Sequence, residues 1–203
     1  MATSRIKTSS VLQGFPKSRS LLAGNAAYIP SDYESIATVI VGSGGSSEIN
    51  FTSIPQGYAH LQIRGINRLS TTGTGTLSTI MQFNSDTGSN YTSSHVLYGT
   101  GASVLAAASS ASQTSMVMVN TPKDGNTASA FSNFVCDILD YADTNKYKTI
   151  RCLGGYDGND TNGIITFRSS AWMNTNAVTS IKLLPSNDNF IQYSKFALYG
   201  IKD

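Results

Sequence analysis

The stretch FTSIPQGYAHLQIRGINR, residues 51–68, decides how this chain is read. Alternation begins at Glu48 and runs to Phe51, Ile54-Pro55-Gln56-Gly57 carries the Pro and Gly of a tight turn, and residues 58–66 alternate again. Leu61 and Ile63 fall on one face of that second run, while His60, Gln62 and Arg64 fall on the other. A side-chain period of two with one apolar face is the pattern of a strand that has one side in a core. The expectation is a half-buried antiparallel hairpin.

Outward from this stretch the composition agrees. The chain has 203 residues, only 13% of them charged, with 18 Gly and abundant Ser and Thr, far from the Ala, Glu, Lys and Leu richness of helical proteins. An all-β domain is expected, an antiparallel β-sandwich of the jelly-roll kind, with the length of one domain. A net charge of +2 is too small to imply nucleic acid or a membrane surface as partner, and no apolar run approaches the roughly 20 residues that span a bilayer. Val11-Leu12 is cut short by Gln13-Gly14, so no secretory h-region is expected.

The N-terminal segment differs from the rest. Arg5, Lys7, Lys17 and Arg19 precede the first acidic residue, Asp32, and leave ten basic against twelve acidic residues in the remainder. Residues 1–24 are therefore expected to form a basic arm and residues 25–203 the sandwich. In the arm, Leu12, Phe15, Leu21 and Leu22 supply apolar area beside the four cations, a combination suited to anchoring.

Strands are expected at 35–41, 77–83, 114–119, 164–170, 177–184 and 193–201, for a total of about nine. Gly42-Ser43-Gly44-Gly45 leads into a strand rather than a helix, so it reads as a turn and not as a phosphate cradle. Residues 95–98 fit a short strand or one helical turn, and the small-residue run 101–112 receives no element. Residues 131–153 fit a hairpin about Thr144, which sets Asp140 against Lys148, Asp137 against Arg151 and Cys136 against Cys152. Directly opposed cysteines could be cross-linked in a non-hydrogen-bonded pair, but in a protein assembled in a reducing cytoplasm free thiols are the expectation.

The phrase at 51–65, together with FALYGI (196–201), FNSDTGSNY (83–91) and WMNTNAVTSI (172–181), resembles virion structural proteins of tailed bacteriophages, the marine type especially. The resemblance runs over most of the chain. It implies a decoration or cement protein of the head, or a fibre-type or tail-associated subunit. The partners would be major capsid or tail proteins, in a homo-oligomer, commonly a trimer. The place implied is the virion surface, after synthesis in the host cytoplasm.

Chemistry is sparse. His60 and His95 sit in no catalytic motif, and the two cysteines and two histidines lack metal-ligand spacing. The loop at 154–163 is rich in Asp and Asn, but counted from Asp157 the sixth position is Asn162 and the twelfth Arg168, where a calcium loop needs Gly and Glu. No enzyme activity, cofactor or metal is expected. His60 and Arg64 mark a possible contact surface, with a solvated sheet face as the plain alternative. Trp172 and Asn174 read as a core plug beside a loop or as a platform for a host-surface glycan; a glycan-binding module of a tail fibre is thus the second reading.

Overall fold

The computed structural model describes residues 32–92, 94–101, 103–108, 112–159 and 163–202. The expected arm, 1–24, with Arg5, Lys7, Leu12, Phe15, Lys17, Arg19, Leu21 and Leu22, lies outside these residues.

Twelve strands are present among them: β1 (Tyr33–Ile40), β2 (Ile49–Phe51), β3 (His60–Asn67), β4 (Thr76–Phe83), β5 (His95–Thr100), β6 (Ser103–Ala108), β7 (Met116–Pro122), β8 (Ser132–Ile138), β9 (Lys148–Tyr156), β10 (Ile164–Trp172), β11 (Ile181–Pro185) and β12 (Lys195–Ile201). They form two antiparallel sheets, eight strands in the order β1-β12-β3-β8-β9-β10-β5-β6 and four in the order β2-β11-β4-β7, packed face to face as a β-sandwich. The inner faces bury Leu61, Ile63, Cys136, Ile150, Phe196 and Leu198 from the large sheet against Ile49, Met81, Phe83, Met118, Ile181 and Leu183 from the small one. At roughly 25 cal/mol for each Å² of apolar surface removed from water, this layer is the main source of stability. A polar tie crosses it: Asn67 donates from Nδ2 to Thr79 Oγ1 at 2.7 Å and to Thr121 Oγ1 at 3.1 Å, so a buried amide of β3 finds its partners on β4 and β7.

The stretch at 51–68 is two strands, but not a hairpin. β2 pairs with β11 in the small sheet, β3 lies between β12 and β8 in the large one, and residues 52–59 cross from one sheet to the other. Both strands have one buried face, as the alternation requires, and alternation does not distinguish pairing side by side from facing across a core. A further strand beyond the expected set is β6, within the small-residue run, and β9, the second arm of the expected hairpin, runs on to Tyr156. The Gly42–Gly45 turn forms as expected, closed by Gly45 N donating to Gly42 O at 3.1 Å.

The β8–β9 register matches the expectation at its centre, with Cys136 opposite Cys152 and Asp137 opposite Arg151. It departs at the turn. The ladder ends at Ile138 and Ile150, Asp140 sits beyond it at a positive φ of 49°, and its carboxylate meets Lys146 at 2.7 Å instead of Lys148. Lys148 turns inward, and its Nζ donates to the carbonyls of Asp143, Lys146 and Thr175. The cysteines are not free either: Cys136 and Cys152 are joined in a disulfide, their Cα atoms 4.1 Å apart on the core side of the ladder. Direct opposition at that spacing leaves each sulfur facing the other.

Candidate binding surface

The large sheet turns its second face away from the small one, and residues there fall into rows that run across the strands. Gln62, Asp137, Arg151, Ser169 and His95 are register partners in succession, a polar row. The next row is Arg64, Val135, Leu153, Phe167, Leu97 and Ala106. A third is Ile66, Asn133, Gly155, Ile165, Gly99 and Val104. Leu153, Phe167, Leu97, Ile165 and Val104 are all exposed, Val104 to 80%.

In β10 the polarity is inverted. Ile165 and Phe167 face out, while Thr166, Arg168 and Ser170 face the interior side. Thr166 satisfies itself on the Gly154 carbonyl, and Arg168 donates to Ser94 Oγ at 2.8 Å and Asn120 Oδ1 at 2.7 Å. Burial lowers the pKa of that guanidinium from its ordinary value, opposed by the nearby Tyr98. Glycines on both neighbouring strands, Gly155 and Gly99, leave Ile165 standing in a trough without flanking side chains. The result is an open groove of about 1130 Å³ across the outer face, bounded at one side by Arg64, Lys195 and Tyr199.

Arg64 is held firmly at that boundary. Its guanidinium carbon lies 5.7 Å from the Tyr33 ring centroid and 5.5 Å from that of Tyr199, and Nε donates to Gln62 Oε1 at 2.7 Å. Gln62 in turn donates from Nε2 to Asp137 Oδ1 at 2.7 Å. Two aromatic faces and one hydrogen bond fix a planar cation whose remaining N–H groups are directed to solvent or a partner. His60, on the same face, is occupied otherwise: its Nδ1 accepts from the Asp140 amide at 3.0 Å and steadies the loop after β8.

Trp172 and Asn174 do not join this surface. Trp172 is the last residue of β10, 1% exposed, with its ring edge-on to Phe83 at 5.6 Å and stacked on Tyr91 at 6.4 Å. Its Nε1 donates to Asp86 Oδ2 at 2.7 Å. Of the two readings of Trp172 the core plug is the one found, and a surface-contact role for it is excluded by that burial, while Asn174 spends its Oδ1 on the Asn176 amide at 2.9 Å. Burial would raise the pKa of Asp86, yet the bonds from Trp172, Asn90 and the Gly88 amide outweigh it and hold the carboxyl below its ordinary range. Burial also pushes the Tyr91 phenol up to about 12.

Among the described residues no group of three or more His, Cys, Asp or Glu side chains is arranged to hold a metal, and no helix is long and apolar enough to cross a membrane. Comparison with protein-family models, with curated proteins and with solved structures gave no match.

Proposed function

We propose that this chain is a structural subunit of a tailed-phage virion: a decoration or cement protein, or a small fibre-type subunit, held to the capsid or tail through residues 1–24. The observation that carries the reading is the inverted face of β10. A strand that turns Ile165 and Phe167 outward and the half-buried Arg168 inward gains nothing as a monomer in water, and gains much when a protein surface covers it. Its role is contact, not catalysis.

The fold is read further as a jelly roll. In chain order β1, β3, β8 and β12 belong to the large sheet and β2, β4, β7 and β11 to the small one, in the orders β1-β12-β3-β8 and β2-β11-β4-β7. That interleaving is the one a jelly roll requires, with β5–β6 and β9–β10 as two inserted pairs that widen one sheet. Such folds serve both capsids and lectins, so the fold supports the reading without deciding it. The disulfide is compatible with exposure on a virion after lysis.

A glycan-binding module of a fibre is the second reading, favoured by the groove beside the clamped Arg64 and Tyr199, not by Trp172. Mass spectrometry and cryo-electron microscopy of purified particles test the first. Many ordered copies on the head or tail are expected, and absence from particles would overturn it. Deleting residues 1–24 is expected to leave a folded sandwich that no longer incorporates, because the core strands begin at Tyr33.

A further inference from the structure

The small sheet ends beneath β10, through β7, and the β5–β6 hairpin reaches beyond it. Every residue of β6 is exposed, Ser103-Val104-Leu105-Ala106-Ala107-Ala108, with Val104 on the outer face and Leu105 on the other. β6 is also the free edge of the large sheet, paired regularly with β5 on one side and with no described strand on the other. Exposed edges are ordinarily guarded by charge, proline or a bulge. This one carries none of these, and no Asp, Glu, Lys or Arg occurs anywhere between Asp86 and Lys123. The opposite edge is guarded: β1 has a bulge between Ser35 and Ala37, and Glu34 there is held by Lys202 and by the Tyr58 hydroxyl at 2.9 Å.

We propose that β6 pairs with β6 of a second copy of this chain, antiparallel about a two-fold axis at Ala106, joining the two large sheets into one. In a continuous sheet opposed residues must share a face, which restricts self-pairing to registers that match like parity. Centred on Ala106, the pairing sets Leu105 against Ala107 and Val104 against Ala108, large against small on both sides of an Ala106 pair at the axis. Centred one residue earlier, it would set Leu105 against itself. Pairing would also shield the side chains along the seam, where Val104 is 80% and Leu105 47% exposed, one on each face of the sheet. The axis is two-fold, in place of the three-fold arrangement expected from the resemblance, and the pairing does not depend on the virion reading.

Sedimentation of the full chain at roughly 1–100 µM, a range that brackets a micromolar Kd, is expected to give twice the 21.5 kDa chain mass. Val104→Lys/Leu105→Lys should sediment as a monomer with an unchanged far-UV spectrum. Ala106→Cys, which leaves the strand intact, should run as a covalent dimer in denaturing electrophoresis after oxidation and as the single chain with reductant, whereas Thr38→Cys on β1 should run as the single chain in both. A wild-type monomer or trimer over that range, a double-lysine variant that sediments as wild type, or an Ala106→Cys chain that does not cross-link would overturn the proposal.

Discussion

Arg68 follows β3 and is 3% exposed, yet its nearest carboxylate, on Asp124, is 3.6 Å from Nε and largely in solvent. What holds it are four carbonyls: Thr127 and Ala130 accept from Nη1 at 2.7 and 2.8 Å, Asp124 and Asn126 from Nη2 at 2.6 and 2.9 Å. One planar cation thus folds the segment between β7 and β8 around itself, satisfying backbone groups that would otherwise be stranded. Nothing in its sequence neighbours signals this, because the acceptors are backbone and carry no residue identity. Arg68→Lys keeps the charge but cannot reach four acceptors, and at about 1.5–3 kcal/mol for each bond to a charged donor it should cost at least about 3 kcal/mol in urea unfolding. A second residue prediction concerns Asp86, whose folded pKa is depressed. Its contribution is present above the unfolded pKa and lost as pH falls through the folded one, so an acid-sensitive step confined below about pH 4 is expected. Asp86→Asn should remove that step while still accepting from Trp172, whereas Asp86→Ala should cost about 1–3 kcal/mol at neutral pH by leaving a buried indole N–H unpaired. Equal acid profiles for wild type and Asp86→Asn would count against the assignment.

At the scale of elements, what was legible depended on whether two segments carried matching labels. β8 and β9 did: Asp137 with Arg151 and Cys136 with Cys152 agree on one register, and that register is present. β2 and β3 carried only alternation, which identifies a strand and its buried face but not its sheet, so a crossover was read as a hairpin. β6 carried neither, since an exposed alanine run has no face to declare. Asp140 and Lys148 show a limit of a different kind. A register extrapolated past the last ladder pair loses its meaning once the chain leaves the strand, and Lys148 found three carbonyls in place of a carboxylate. The cross-link at the centre of the hairpin gives an element prediction: closing a loop of this size is worth about 3 kcal/mol. Reduced protein, or Cys136→Ala/Cys152→Ala, should unfold at correspondingly lower urea, with β8 and β9 still paired. Two thiols open to alkylation in the unreduced, denatured chain would contradict the bond.

For the whole molecule, the four phrases that suggested a virion protein prove to be contact pairs. FALYGI lies in β12, register-paired with HLQIRGI of β3, and an added Cβ at Gly200 would fall 2.4 Å from the Tyr58 ring, so that glycine seats a tyrosine of the other phrase. FNSDTGSNY and WMNTNAVTSI meet through Trp172 on Phe83 and Tyr91, and through Asn84, which accepts from the Thr179 and Ser180 amides and donates to the Ala177 carbonyl. These phrases therefore encode architecture. The proposed contact surface lies elsewhere, in β5, β6 and β10, where an alternation rule would send Ile165 and Phe167 to the core and Arg168 to water, the reverse of what is found. Only Arg64 and His60 marked this face from sequence.

That inversion separates stability from function more cleanly than any other feature of the chain. Leu153 and Phe167 are 46% and 44% exposed, side by side on the outer face, and neither touches the layer between the sheets. Leu153→Ser/Phe167→Ser removes apolar surface that folding takes only about half out of water, so the two changes together should cost about 1.5–3 kcal/mol, half the value for two fully buried side chains, and leave the sandwich folded. If the face is covered in an assembled particle, the same two changes strip the centre of an interface, where truncating a buried aromatic anchor costs about 2 kcal/mol or more. Binding of the purified double variant to particles lacking the native subunit, measured by co-sedimentation, should then weaken by at least about tenfold. Controls on the polar row, such as Ser169→Ala, should bind as wild type. A folded double variant that binds particles normally would remove the outer face from the attachment and leave residues 1–24 as the proposed anchor.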